Sequence, residues 1–173
     1  MPIVAAMETG GFVVVNPRPG QAPKLAEITL LRAYRDLAYK DPRYQQRYFE
    51  TLGTLAQTQP QDSFVQAALG HKALTDGHLQ EALEHLTKAL PLGESTVYLD
   101  LGQVLGKLNR GNEAIEYLKT GVRLDPYNAL LRKTLILQDI NDKRYADART
   151  GMEEYLNRFP EDSFMRSLWA RVR

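Results

Sequence analysis

The residues with the widest chemical range in this 173-residue sequence are its three histidines, His71, His78 and His85, set seven apart. On one unbroken helix that spacing would stack them in a stripe able to bind a metal. Gly77 interrupts the stretch between the first two, so the three are not expected to share a face, and no H-E-x-x-H pattern is present. Cysteine is missing, which removes thiolate zinc sites, disulfides and covalent haem. Carboxylates gather at Glu81, Glu84, Glu113, Glu116, Glu153 and Glu154, and they read as a solvated helix face rather than as an acid/base pair. Gly10-Gly11 leads to no Lys-Ser/Thr, so it is no phosphate loop, and no G-x-S-x-G nucleophile turn occurs. Arg166, Arg171 and Arg173 form a basic helix end that complements the helix dipole. These residues point to a non-catalytic chain with no metal and no cofactor.

Lys plus Arg total 22 and Asp plus Glu 21, a net charge of +1. Such a balance sets up no field to hold a polyanion, which argues against nucleic acid as the partner. Apolar residues make up 43% and charged residues 25%, close to the globular average. No uncharged apolar run reaches the ~18 residues of a membrane helix. A soluble chain is expected, in the cytoplasm or the periplasm, with nothing to choose between them.

Residues 1–23 differ from the rest, since seven of them are Gly or Pro. That density of breakers forbids a helix. Phe12-Val13-Val14-Val15 reads as a short extended segment, and residues 11–19 are expected to lie as a strip against the helices behind them. The same strip exchanged between two copies would give a homodimer. From Lys24 the pattern turns helical. Leu25, Ile28, Leu31, Tyr34 and Leu37 recur at three-residue steps, Asp41-Pro42 breaks the run, and Tyr44–Thr58 forms a second helix with Tyr48, Leu52, Leu55 and Ala56 inward.

The strongest signal is self-similarity. Pro60-Gln61-Asp62-Ser63-Phe64 returns 100 residues later as Pro160-Glu161-Asp162-Ser163-Phe164, and units of 32, 34 and 34 residues fit between. The middle unit, 95–128, carries Tyr98, Leu101-Gly102, Leu105, Ala114, Leu118, Gly121 and a closing Leu124-Asp125-Pro126. The unit 63–94 has Leu69-Gly70, Ala73, Gly77, Ala82, Leu86 and Ala89-Leu90; the unit 129–162 has Leu135, Ala148, Met152, Tyr155 and Pro160, with Ile136 in the glycine position. This pattern resembles the tetratricopeptide repeat (TPR). The resemblance implies an all-α, right-handed α-α superhelix of antiparallel helix pairs. It divides the chain into an extended segment 1–23, a degenerate pair 24–62, repeats 63–94, 95–128 and 129–162, and a capping helix 163–173. Gly70 with Ala82, and Gly102 with Ala114, are expected to let paired helices approach closely. Gly77 and Asn109 are expected to supply left-handed turns.

The resemblance also implies function: a protein–protein interaction scaffold that holds a peptide or helix of a partner in a concave groove lined by first helices. Carried over residue by residue, the groove comprises Phe64, Ala67, His71 and Thr75 in one repeat, Leu99, Asp100, Gln103 and Lys107 in the next, and Leu130, Lys133, Leu137 and Asn141 in the third. Phe64, Leu99 and Leu137 are expected to be its exposed apolar anchors. TPR domains that clamp a C-terminal carboxylate place Lys, Asn and Arg where this chain has Ala67, His71, Asp100, Leu130 and Thr134, so that clamp is not expected here. A weaker likeness, through Met1-Pro2 and Asn16-Pro17-Arg18-Pro19-Gly20, is to the haem-free TPR tail of multihaem c-type cytochromes, and it implies a redox-system component instead.

Overall fold

A computed structural model describes residues 23–172. The expectations for residues 1–22 lie outside that range. No strand occurs among the described residues, and the helices follow one another through short turns. The chain divides into two compact units at Val65/Gln66.

The first unit holds α1 (Pro23–Lys40), a 3-10 turn at Pro42–Tyr44, α2 (Gln45–Thr58) and the opening residues of α3 (Ser63–Asp76). Pro23 starts α1, where its missing amide hydrogen costs nothing. Asp41 ends the α1 run and caps the 3-10 turn by accepting from Arg43 N at 3.0 Å. Ile28 and Leu31 of α1 and Leu52 and Leu55 of α2 are buried, which is the inward face that the three- and four-residue spacing requires.

The second unit contains the rest of α3, then α4 (Leu79–Ala89), α5 (Ser95–Lys107), α6 (Gly111–Leu124), α7 (Ala129–Asn141), α8 (Tyr145–Arg158) and α9 (Ser163–Val172). Each inter-helix turn inside a pair needs one residue at positive φ. These are Gly77 at 83°, Asn109 at 57° and Lys143 at 61°, at the same phase of the sequence period. Gly and Asn reach that region at low cost, whereas Lys143 carries the steric penalty of a Cβ. α4 stops early because Pro91 cannot continue it; a 3-10 turn at Leu90–Leu92 and a left-handed Gly93 complete the connection to α5.

Helix starts are capped by short polar side chains at the same phase. Asp62 accepts from Phe64 N (2.9 Å) and Val65 N (3.1 Å), Asn128 from Leu131 N (3.1 Å), and Asp162 from Met165 N (3.0 Å). The repeated Pro-x-Asp-Ser-Phe is therefore a helix-start device: proline ends one helix and aspartate caps the next. Close packing within pairs comes from Gly70 and Gly102. The side chain nearest Gly102 is Leu118, one turn beyond the expected Ala114; a Cβ on Gly102 would stand 2.4 Å from Leu118 Cγ, and one on Gly70 2.6 Å from Leu86 Cγ. Ala82 and Ala114, both fully buried, flank these contacts one turn away.

A ridge of first-helix side chains as the candidate functional site

The side chains of α7 divide into two stripes. Leu130, Lys133, Leu137 and Asn141 recur at i, i+3, i+7 and i+11, which places them on one face of a helix. Leu130 is 53% and Leu137 39% exposed, unusually open for leucines on a helix whose other face is packed. Phe164 of α9, 55% exposed, joins them: its ring centroid lies 5.6 Å from Lys133 Nζ. On α5 and α3 the same phase carries Gln103, Lys107, His71 and Thr75, with Lys107, His71 and Thr75 exposed and Gln103 half-buried.

Two contacts hold this surface in place. His71 Nδ1 lies 2.9 Å from Asp100 Oδ2 and ties α3 to α5. Asp100 is buried beneath the imidazole, so this surface presents His71 rather than a bare carboxylate. Lys133 Nζ lies 2.6 Å from Asp162 Oδ2, which also accepts from the Tyr155 hydroxyl at 2.8 Å. The lysine, the Met165 amide and the phenol together hold the Asp162 carboxyl down at about 2. Burial, followed by that bond to Asp162, pushes the Tyr155 phenol up to about 12. Lys133 is thus a tethered cation that supports the aromatic edge at Phe164, and its charge is already met.

Two of the expected apolar anchors are corrected by burial. Phe64 is only 3% exposed, because the guanidinium carbons of Arg32 and Arg35 sit 4.3 and 5.0 Å from its ring centroid. Leu99 is 8% exposed and belongs to a core cluster with Leu118 and Leu131. It fills the joint between α5, α6 and α7 and offers a partner little surface. Ala67 is half-buried against the core around Ala73 and Leu86. Among the expected anchors Leu137 alone is exposed, and Leu130 and Phe164 stand beside it.

The histidines have separate roles. His85 Nδ1 lies 2.7 Å from Gln66 Oε1, while His78 and His85 lie 3.5 and 3.8 Å from the two carboxylate oxygens of Glu81. His78, the N-cap residue of α4, lies three residues before Glu81 and His85 four residues after it, so the two flank one carboxylate while His71 pairs with Asp100. Among the described residues no set of three or more such groups is gathered so as to hold a metal ion, and no helix is long and apolar enough to cross a membrane.

No protein-family profile and no curated protein matches the chain. Solved structures do match. The TPR domain of Arabidopsis OM64 superposes at a TM-score of 0.59 with 18% identity, covering 64% of this chain and 93% of that one. YrrB, described as a TPR protein with an unusual peptide-binding site, gives 0.69 at 16% identity over 86% of this chain and 75% of its own. The first TPR of Spaghetti (RPAP3), bound to the HSP90 peptide SRMEEVD, gives 0.58 at 15% identity over 65% and 93%. Identities this low establish architecture alone. With the periodic caps, turns and glycine contacts already described, they make the fold of this chain the all-α tetratricopeptide-repeat solenoid.

Proposed function

We propose that the protein is a non-catalytic interaction scaffold that binds a segment of a partner protein along the first-helix ridge of its second unit. One observation carries the reading: Leu130 and Leu137 of α7 and Phe164 of α9 stay exposed, although α7 buries Leu131 and Ile136 and α9 buries Met165. Exposed apolar groups aligned in this way are a docking surface for apolar side chains. We take α3–α4, α5–α6 and α7–α8 as the repeats, so that each first helix contributes one rung. His71, Thr75, Gln103, Lys107 and Asn141 supply polar contacts that set the orientation of the bound segment, and Leu130, Leu137 and Phe164 supply its anchors. Asp100 and Lys133 act beneath the surface by fixing His71 and the Phe164 edge. Two of the structural neighbours are described as peptide-binding or peptide-bound, which supports this mode of use.

The test is selection from a random peptide library, followed by mapping of the selected peptides through amide chemical shifts. Peptides with spaced apolar residues should perturb α5, α7 and α9. Leu137→Glu should leave the circular dichroism spectrum unchanged and weaken binding by about 2 kcal/mol or more, roughly thirtyfold, as loss of a central anchor does. Selected peptides that perturb only the second helices, or that bind Leu137→Glu as they bind wild type, would refute the assignment.

A further inference from the structure

A cleft of about 330 Å³ lies on the other side of α7, between α6, α7 and α8. Arg132, Leu135, Ile136 and Asp139 line it at i, i+3, i+4 and i+7. At about 100° per residue this stripe stands opposite the one that carries Leu130, Lys133 and Leu137, so the cleft is separate from the ridge. Val122, Leu135, Ile136 and Gly151 give it an apolar floor. Gly151 keeps that floor open, because a Cβ there would stand 3.0 Å from Ile136 Cγ1.

Asp139 also faces this cleft and is only 5% exposed. Its Oδ1 is sealed from solvent and accepts no hydrogen bond. The cation beside it, Arg144, brings Nε only to 3.4 Å, and that guanidinium directs its Nε and a terminal nitrogen to Asp147 Oδ2 at 3.0 and 2.7 Å. The cations of the rim are engaged as well. Lys119 meets Glu116 at 3.3 Å, while Arg132 donates to the Pro126 carbonyl at 2.7 Å and meets Glu154 at 3.5 Å. A carboxylate oxygen buried without a hydrogen bond is costly and calls for a donor.

We propose that this cleft receives the side chain of an arginine from a partner protein, its guanidinium donating to Asp139 Oδ1 and its methylene stem lying on Val122, Leu135 and Ile136. The volume is at the low end of ligand sites, which begin at about 300 Å³, so the cleft suits one long side chain rather than a larger ligand. Guanidinium is more weakly hydrated than ammonium and carries its charge into an apolar slot at lower cost, which selects arginine over lysine. The pairing is charge-assisted and supplies the hydrogen bond that Asp139 Oδ1 lacks.

The experiment titrates the protein with N-acetylarginine methylamide and follows the methyl resonances of Val122, Leu135 and Ile136. The uncharged isostere N-acetylcitrulline methylamide serves as comparison. Saturable shifts confined to the cleft are expected, with a dissociation constant of order 1 mM, the weak affinity of a single side chain. Citrulline should bind at least about tenfold more weakly, since it offers no charge to the carboxylate. Asp139→Asn should reduce arginine binding by about as much. Thr150→Phe, at an exposed position on the cleft wall, should block both compounds, and it decides the matter alone if Asp139→Asn does not fold. Absence of a saturable shift would overturn the proposal, as would equal binding of citrulline or arginine binding that survives Thr150→Phe. The ridge peptides report on α5, α7 and α9 through different resonances, so failure here is distinguishable from failure of the groove reading.

Discussion

Exchanging glycine for alanine should have opposite effects at two helical positions, and the difference measures helix-pair packing. Gly102 lies in the middle of α5 against α6, where an added Cβ would stand 2.4 Å from Leu118 Cγ, 2.5 Å from Cδ2 and 2.9 Å from Cδ1. The first of these is the branch carbon of a fully buried side chain, so it cannot swing aside as a flexible tip would. Gly53 lies inside α2 with nothing within 4 Å of its would-be Cβ. Alanine is worth about 1 kcal/mol over glycine in a helix interior. Gly53→Ala should therefore stabilise the protein by roughly 0.5–1 kcal/mol. At Gly102 the same gain is opposed by overpacking of about 1–3 kcal/mol, and with contacts this short the upper part of that range applies, for a net loss of roughly 1–2 kcal/mol. At about 2–4 °C per kcal/mol for a chain of this size, the two variants should bracket the wild type by several degrees. Thermal unfolding followed by circular dichroism reads both shifts, and amide exchange assigns each to its own helix pair. A double variant in which Leu118→Ala accompanies Gly102→Ala should be less destabilised than the sum of the single changes, because the smaller residue frees the space that the methyl needs. A Gly102→Ala protein as stable as wild type, or strictly additive effects in the cycle, would refute the close-approach argument.

Leu99→Ala should cost about 2–5 kcal/mol in urea unfolding, since Leu99 fills the joint with Leu118 and Leu131. A loss below that range would return Leu99 to the groove surface. Lys143→Gly should stabilise by about 1 kcal/mol, because it removes the left-handed strain at φ 61°. An unchanged melting temperature would contradict this. Asp162 is held at about 2 against an ordinary 3.8, so its contribution is fully present above pH 3.8 and is lost as pH falls towards 2. Partial solvent exposure reduces that contribution to about 1 kcal/mol. Urea midpoints measured between pH 5 and pH 2 should fall less steeply in Asp162→Asn than in wild type, by about that amount.

Much of the fold was legible in local chemistry. Proline, a capping aspartate or asparagine and a left-handed turn residue act within a few residues of their own position, so a period of 32 to 34 residues in these types shows where helices begin and end. Lys143 escaped notice because a lysine at positive φ carries no compositional signal; only its phase, 34 residues after Asn109, marks it. Asp139 escaped for a different reason. An aspartate in an amphipathic helix reads as solvated, and its burial follows from α8 closing over α7. The candidate site was legible in its helix phase and illegible in its exposure, as Leu99 illustrates: it occupies a first-helix position that faces the groove in the repeat pattern, yet Leu131 of the next pair covers it.

The twin pentapeptides separate the two kinds of information. Both supply a proline stop and an aspartate that caps the following helix, because capping requires only an oxygen within reach of the next amides. Their phenylalanines differ. Phe64 lies beneath two guanidinium groups of α1 and is 3% exposed, whereas Phe164, beside Lys133, is 55% exposed. Backbone geometry is set largely by each residue and its immediate neighbours, so the helices and the turns at Gly77 and Asn109 were legible in the sequence, while the turn at Lys143 was not. Burial depends on which distant side chains arrive on top, and it is the packing of α1 over Phe64 that makes one of these phenylalanines core and leaves the other at the surface.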